Sequence, residues 1–343
     1  MQSASALLIP LLLFSTLLPA ADDGSGSVPR DNSYTLDSAY AKYRVQYPFI
    51  SPRRCNPENW NLRHSGIVYS AIGPRRLNLD IFADDKAPAR PRPVVLLIHG
   101  GGWRSGDRSL MYPLADYLSK NGFVAVPVEY RLSPEARYPA AVEDIRSSIA
   151  WVREHGPDYQ ADPNRIVLLG CSSGAQLAGL VGLTEGTGEG PGEPGSRAIQ
   201  AIVNIDGIMD FSSAEARKYE DDPRKEETSA GLWLGGRYDE REAVWKSASP
   251  VYHVTRDAPP IQFINSSQAR FHVGRDEVIA KLNRHGIYST VYTLEDAPHC
   301  FWLFDPWFEV TAGQVSDFLG TLFPEREDAE SVEDPDNQTA SAN

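Results

Sequence analysis

The chain reads as an α/β fold: a mostly parallel, doubly wound sheet with helices on both faces and a small cap insertion. Three observations predict it. Two apolar runs, Pro93–Ile98 and Arg165–Leu169, have the length and β-branched content of strands buried on both faces. Each runs directly into a glycine-rich turn, His99-Gly100-Gly101-Gly102-Trp103 and Gly170-Cys171-Ser172-Ser173-Gly174. Around them, short strand patterns alternate with helical patterns of ten or more residues, the arrangement that parallel sheets require of their crossovers.

In chain order, Gly66–Gly73 and Arg75–Phe82 read as a hairpin whose second strand alternates at Leu77, Leu79 and Ile81. Pro93–Ile98 follows as a buried strand and Phe123–Tyr130 as the next. Ala140–Glu154 has helical spacing at Val142, Ile145, Ile149 and Val152. Arg165–Leu169 leads through the second glycine turn into a helix beginning Ala175-Gln176-Leu177-Ala178. Ala198–Ile205, Ile261–Ile264 and Tyr288–Leu294 are further strands, and Gly274–His285 and Val310–Leu322 are helices. Residues 185–195, dense in glycine and proline, read as a loop without a core of its own. Phe211–Ser249 interrupts the alternation. It is charged at Glu220-Asp221-Asp222 and richer in Trp233, Leu234 and Trp245 later, and reads as a cap facing the substrate. The boundaries expected are a signal peptide over 1–20, an N-terminal extension over 21–65, one domain over 66–323 with its cap at about 211–249, and a disordered acidic tail over 324–343.

Ser172 stands where a strand turns sharply into a helix. Such a turn needs small flanking residues because its backbone is strained and packed close to its neighbours. The upstream glycines leave backbone N–H groups free to face an anionic intermediate. A Gly-x-Ser-x-Gly match alone is weak, but after a strand, before a helix and with His-Gly-Gly-Gly upstream it points to serine hydrolase chemistry. That chemistry also needs a neutral imidazole to carry the proton and a carboxylate to hold its tautomer. Of the seven histidines, His64 precedes the sheet and His155 and His285 end helices. His99 is committed to its turn, His253 precedes a proline-rich loop, and His272 lies in another loop. His299 follows a strand in Ala297-Pro298-His299 and is the candidate base.

With these motifs, Glu129-Tyr130-Arg131-Leu132-Ser133-Pro134-Glu135 and Tyr138-Pro139-Ala140-Ala141, the chain resembles the α/β-hydrolase superfamily from about Gly66 to Phe323. Within it the chain is similar to esterases related to hormone-sensitive lipases and to bacterial acetylxylan and feruloyl esterases. The segment Asn204–Phe308 looks closest to a subgroup that includes pectin methylesterases. The resemblance implies Ser172 as nucleophile and His299 as base, with the N–H groups of Gly101, Gly102 and Ser173 as the oxyanion hole. Most such relatives take the acid from a His-Gly-x-x-Asp stretch, whose Asp position falls here at about Ala269. Asp206, at the end of the preceding strand and followed by Gly207, is the substitute candidate. Two other readings stay open: Asp206 capping a loop, and a Ser–His pair without a carboxylate. Glu295 and Asp296 lie too close to His299 in sequence for an easy approach.

Arg270 and His272 occupy the loop that lacks the Asp. An Arg there suits a uronate carboxylate, and a salt bridge within the protein is the alternative. Trp103, with Trp233, Trp302 and Trp307, offers a surface on which sugar rings stack, against a core reading for the aromatics of Phe301–Phe308.

The 343 residues carry a net charge of −13 and a hydrophobic content of 41%. That is ordinary for a globular protein, and nothing in it suggests the basic face that a nucleic-acid partner would need. Seven acids from Glu325 onward face Arg326 alone. Residues Ala6–Ala20 are apolar and end in Leu18-Pro19-Ala20-Ala21, too short for a membrane span and suited to signal peptidase; export to the periplasm or beyond is expected. Neither HExxH nor paired cysteines suggest a metal, and no cofactor is expected. The three cysteines, Cys55, Cys171 and Cys300, allow one disulfide or none. The expected substrate is an acetyl, methyl or feruloyl ester of plant cell-wall polysaccharide. The alternatives are a small-molecule ester or amide (formamidase-like) and a non-catalytic binder on the same fold. Nothing in the sequence specifies an oligomeric state.

Overall fold

The computed structural model describes residues 30–86, 90–185 and 199–324. The expected signal peptide, the glycine-rich loop beyond Glu185 and the acidic tail beyond Pro324 lie outside them. Eight strands form the main sheet: β1 (Leu62–Ile72), β2 (Arg75–Phe82), β3 (Arg92–Ile98), β4 (Val124–Val128), β5 (Ala161–Cys171), β6 (Ala201–Ile205), β7 (Ile261–Asn265) and β8 (Ser289–Thr293). Their order is β1-β2-β4-β3-β5-β6-β7-β8. The β1–β2 and β2–β4 pairings are antiparallel, and every pairing from β4 to β8 is parallel.

β3 is central, with Val94 opposite Val124 on one side and Ile166 on the other. All its residues are buried, which is why its sequence is a continuous apolar run rather than an alternating one. Val94, Leu96 and Ile98 face one core with α3 (Ala140–His155), α4 (Ser173–Thr184) and α8 (Arg275–Arg284). Val95 and Leu97 face a second core with α1 (Leu36–Tyr43), α2 (Tyr112–Lys120) and α9 (Trp307–Leu322). Each fully buried Val, Leu or Ile contributes roughly 1.5–3 kcal/mol, so these alternating side chains bind the two helix layers to the sheet.

Residues 211–249 fold as three short helices, α5 (Ala214–Glu220), α6 (Ser229–Leu234) and α7 (Tyr238–Ser247). Ser213 and Thr228 cap the first two by accepting bonds from the amides of Ala216 and Gly231. The stretch 30–53 packs against the far end of the chain. Ser51–Pro52 pairs with Phe304–Asp305, Arg53 N–H donates to Leu303 O at 2.8 Å, and Tyr34 Oη donates to Cys300 Sγ at 3.2 Å. That stretch therefore supports the loop that carries His299. All three thiols are free.

Candidate active site

Ser172 leaves β5 with φ 55° and ψ −122°, in the left-handed half of backbone space. Its amide donates to Ile205 O at 2.8 Å, and its carbonyl accepts from the amides of Ala175 and Gln176. Its flanking glycines are sterically obligatory. A Cβ on Gly170 would stand 2.1 Å from Gly174 O, and one on Gly174 would stand 2.1 Å from Ile98 O. The elbow is therefore pressed against the end of β3, and only hydrogen fits between them.

His299 lies on the loop after β8. Its Nε2 is 2.8 Å from Ser172 Oγ and its Nδ1 is 2.7 Å from Asp206 Oδ2. These partners set the tautomer: Nδ1–H donates to the carboxylate, and Nε2 accepts from the hydroxyl. The ring is held on its face by Phe271, with centroids 3.5 Å apart and planes 9° from parallel, and on its edge by Trp302 at 5.2 Å.

Asp206 directly follows β6 and is fully buried. Its Oδ1 accepts the Ser266 amide at 2.9 Å, and His272 Nε2 sits 3.7 Å from the same oxygen. Burial alone would raise this carboxyl. The two imidazoles and the Ser266 amide outweigh it and hold Asp206 well below the usual carboxylate range. Of the readings open for Asp206, the structure has it against His299. Ala269 instead opens a single 3₁₀ turn with no carboxylate.

Gly102, Ser172 and Ser173 line one small cleft of about 120 Å³. The amides of Gly101, Gly102 and Ser173 have no backbone acceptor among the described residues. Ser173 is the first residue of α4, where helix geometry leaves the N–H unpaired and the dipole is positive. Gly101 sits one residue back, and its carbonyl accepts from the amides of Arg104 and Ser105. His99 is spent on support, stacked on Tyr130 at 4.5 Å, and its burial lowers its pKa.

The other expected binding residues stand differently. Trp103 is only 5% exposed, so no ring face is open to a sugar. It stacks on fully buried Trp233 at 5.1 Å and donates from Nε1 to Gln176 Oε1 at 2.9 Å. Trp302 and Trp307 are buried too, and the expected stacking surface is core. Arg270 lines the cleft, but its guanidinium donates to Glu220 Oε1 at 3.0 Å, which is the salt bridge the sequence left as the alternative to uronate binding. Burial pushes the Glu220 carboxyl up, with Arg270 partly offsetting it. His272 is turned toward Asp206 rather than toward open cleft.

Sequence reasoning missed Phe271, Glu220, Ser229 and Gln176. Phe271 had a signal, since it lies between the two loop residues singled out. Gln176 is four residues after Ser172 on α4, buried, and bonds both Trp103 and the Ala248 carbonyl at 2.8 Å.

The profile of the BD-FAE family matches residues 79–273, more than half of the chain, from β2 through the Arg270 loop. The chain belongs to the BD-FAE family. Among curated proteins it is 33% identical over 276 residues to esterase LipQ of Mycobacterium tuberculosis, an alignment covering 76% of this chain and 63% of that protein. It is 31% identical to esterase LipC of the same organism, covering 70% and 62%. The chain thus spans about three fifths of the length of these relatives. Among solved structures, a truncated carbohydrate esterase from gut microbiota superposes with TM-score 0.63 at 21% identity, covering 79% of this BD-FAE chain and 100% of the other. Esterase Est2 of Thermogutta terrifontis superposes with TM-score 0.60 at 22% identity, covering 79% and 95%. The mostly parallel sheet with its helices has the fold of these solved structures. No helix among the described residues is long and apolar enough to cross a membrane.

Proposed function

We propose that this BD-FAE protein is an exported serine esterase that removes acetyl groups from plant cell-wall polysaccharide. The observation that carries the hydrolase reading is the unbroken contact line Asp206–His299–Ser172, at 2.7 and 2.8 Å, ending beside the open amides of the cleft. Ser172 Oγ attacks the acyl carbon while His299 Nε2 takes its proton and then returns it to the departing alcohol. Water follows the same path to release the acid from the acyl-serine. Negative charge on the carbonyl oxygen is met by the N–H groups of Gly101, Gly102 and Ser173. Asp206 holds the imidazole in the productive tautomer and faces the imidazolium as it forms.

The size of the cleft supports acetyl. About 120 Å³ walled by Trp103, Ile208 and Phe271 and closed by the Glu220–Arg270 pair suits a short acyl group better than feruloyl. The commitment of Arg270 to Glu220 weighs against methyl-uronate as the preferred substrate. The apolar Ala6–Ala20 stretch supports export, and the carbohydrate esterase among the structural neighbours supports a glycan. The mycobacterial relatives are named as esterases, and hydrolysis of small soluble esters is the second reading.

A fluorophosphonate probe tests the hydrolase reading: it labels the native protein and leaves Ser172→Ala unlabelled. Absence of label on the native protein removes the reading. Acetate release from acetylated xylan and pectin, compared with turnover of an aryl acetate, tests the glycan. Turnover of the aryl ester alone transfers the assignment to small esters. Mature protein beginning near Ala21 in the medium or periplasm tests export.

A further inference from the structure

We propose that His272 is a positioning residue of the proposed esterase, a second imidazole that, beside the Ser266 amide, fixes Oδ1 of Asp206 so that Oδ2 stays on His299. The proposal rests on the serine-esterase reading and deepens it. Asp206 has two oxygens and two imidazole neighbours. Oδ2 takes His299 Nδ1 at 2.7 Å, while Oδ1 takes the Ser266 amide at 2.9 Å and faces His272 Nε2 at 3.7 Å. That His272 nitrogen is shielded from solvent and has no hydrogen-bond partner among the described residues. With its proton on Nε2, His272 turns a buried donor toward the buried Asp206 carboxylate, and an unpaired buried donor is otherwise costly. The 3.7 Å gap exceeds a hydrogen bond, and catalytic contacts of this kind shorten when substrate is bound.

The same short loop places Arg270, Phe271 and His272 in consecutive roles. Arg270 closes the cleft on Glu220, Phe271 stacks on His299, and His272 faces Asp206. The loop that carries the acid in most similar esterases here braces an acid supplied by β6.

Among the described residues, His299 and His272 face Asp206, and Cys171, Cys300 and Tyr43 are near enough to feel its charge. Burial holds Cys171 up, Cys300 up to about 12 and Tyr43 above its ordinary range, so these three stay neutral near pH 7. Glu220, raised by burial and paired with Arg270, also faces His299. The imidazoles and Glu220 are therefore the groups whose charge can shape the acid limb of the reaction. A donor on Oδ1 draws negative charge away from His299. Its removal makes Asp206 a stronger partner for the imidazolium, and the acid limb of kcat/KM moves to higher pH.

The test compares native enzyme with His272→Phe, which keeps a ring and loses the donor, and His272→Gln, which keeps an N–H. Active-site concentration is set by the fluorophosphonate label. The expected result for His272→Phe is a fall in kcat of about tenfold with KM unchanged, the size of one hydrogen bond to a charged group. Its acid limb should rise by about half a pH unit or more, in the native background and in Glu220→Gln alike. His272→Gln should recover most of kcat and return the limb toward the native position. An unmoved limb in His272→Phe, equal losses in both variants, or a limb shift that vanishes with Glu220→Gln overturns the proposal. Those outcomes leave the esterase reading standing, because native labelling and turnover are measured in the same experiment. An unlabelled, inactive native protein would instead remove the esterase reading itself.

Discussion

Trp103 and Trp233 stack with ring centroids 5.1 Å apart and planes 9° from parallel, joining the loop after β3 to helix α6. Trp103 follows directly on Gly101 and Gly102, so their amides are aimed by a contact made 130 residues further along the chain. Trp233 is fully buried and also packs against Phe211 and Tyr138. Trp233→Ala removes one wall of that stack and leaves a cavity. We expect a loss of about 3–5 kcal/mol in stability, measured by urea unfolding, with kcat falling further than KM rises. A loss below about 1 kcal/mol would show that the cap and the loop are not mechanically joined.

Gly174→Ala should be worse than its small size suggests. The added methyl carbon meets Ile98 O at 2.1 Å and His99 O at 2.5 Å, both backbone atoms at the end of β3. Neither can rotate away, so α4 must lift from the sheet. Overpacking of this kind costs about 1–3 kcal/mol or more. The expected outcome is low soluble yield and a lower Tm, with the residual folded protein unable to bring Ser172 to His299. Native-like Tm and activity would contradict the close approach.

What was legible in the sequence follows from where each interaction is encoded. β3 and β5 are buried on both faces, so their strand character stands in consecutive residues and needs no partner to be read. The Ser172 elbow is equally local, since its strain demands glycine at fixed offsets. α2 is harder to see, because Pro113 stands at its start and only Leu114, Ala115, Leu118 and Ser119 of its nine residues are buried. Trp103 was read as a sugar-stacking surface and Arg270 was left with two readings, because the deciding partners, Trp233 and Glu220, are remote in sequence. An arginine beside an active serine has the same local pattern whether it holds a substrate carboxylate or one from its own cap. Asp206 was reachable because strand ends in a parallel sheet share one edge, so that β5, β6 and the loop after β8 must meet there.

The Glu220–Arg270 pair gives a direct test of cleft selectivity. Glu220→Gln removes the carboxylate that holds the guanidinium and keeps the side-chain volume. Arg270 is then free to take a carboxylate on the substrate, where a charge-assisted bond is worth roughly 1.5–3 kcal/mol. We expect kcat/KM on an ester bearing a carboxylate near the acyl group to rise by about tenfold, with neutral aryl acetate little changed. The control is Glu220→Gln with Arg270→Leu, which should erase the gain. Equal gains on neutral and anionic esters would mean that the pair only narrows the cleft.

Asp206→Asn separates the proposed catalytic part of this carboxylate from its part in stability. Asn can offer its N–H to His299 Nδ1, which then favours the wrong tautomer, with the proton on Nε2 facing Ser172 Oγ. We expect kcat to fall by roughly four decades, as for a triad acid, with KM little changed. The stability arm follows from the direction of the Asp206 shift. The folded carboxyl lies below its unfolded value, so its contribution is present above the ordinary Asp pKa of about 3.9 and is lost as pH falls through the folded value. Native protein should therefore exceed Asp206→Asn in unfolding free energy at pH 7, and the difference should shrink steadily below about pH 4. Chemical denaturation across pH 3–7 checks this. A difference that stays constant with pH would mean that Asp206 holds the loop by shape alone, and kcat within tenfold of native would remove it from the reaction.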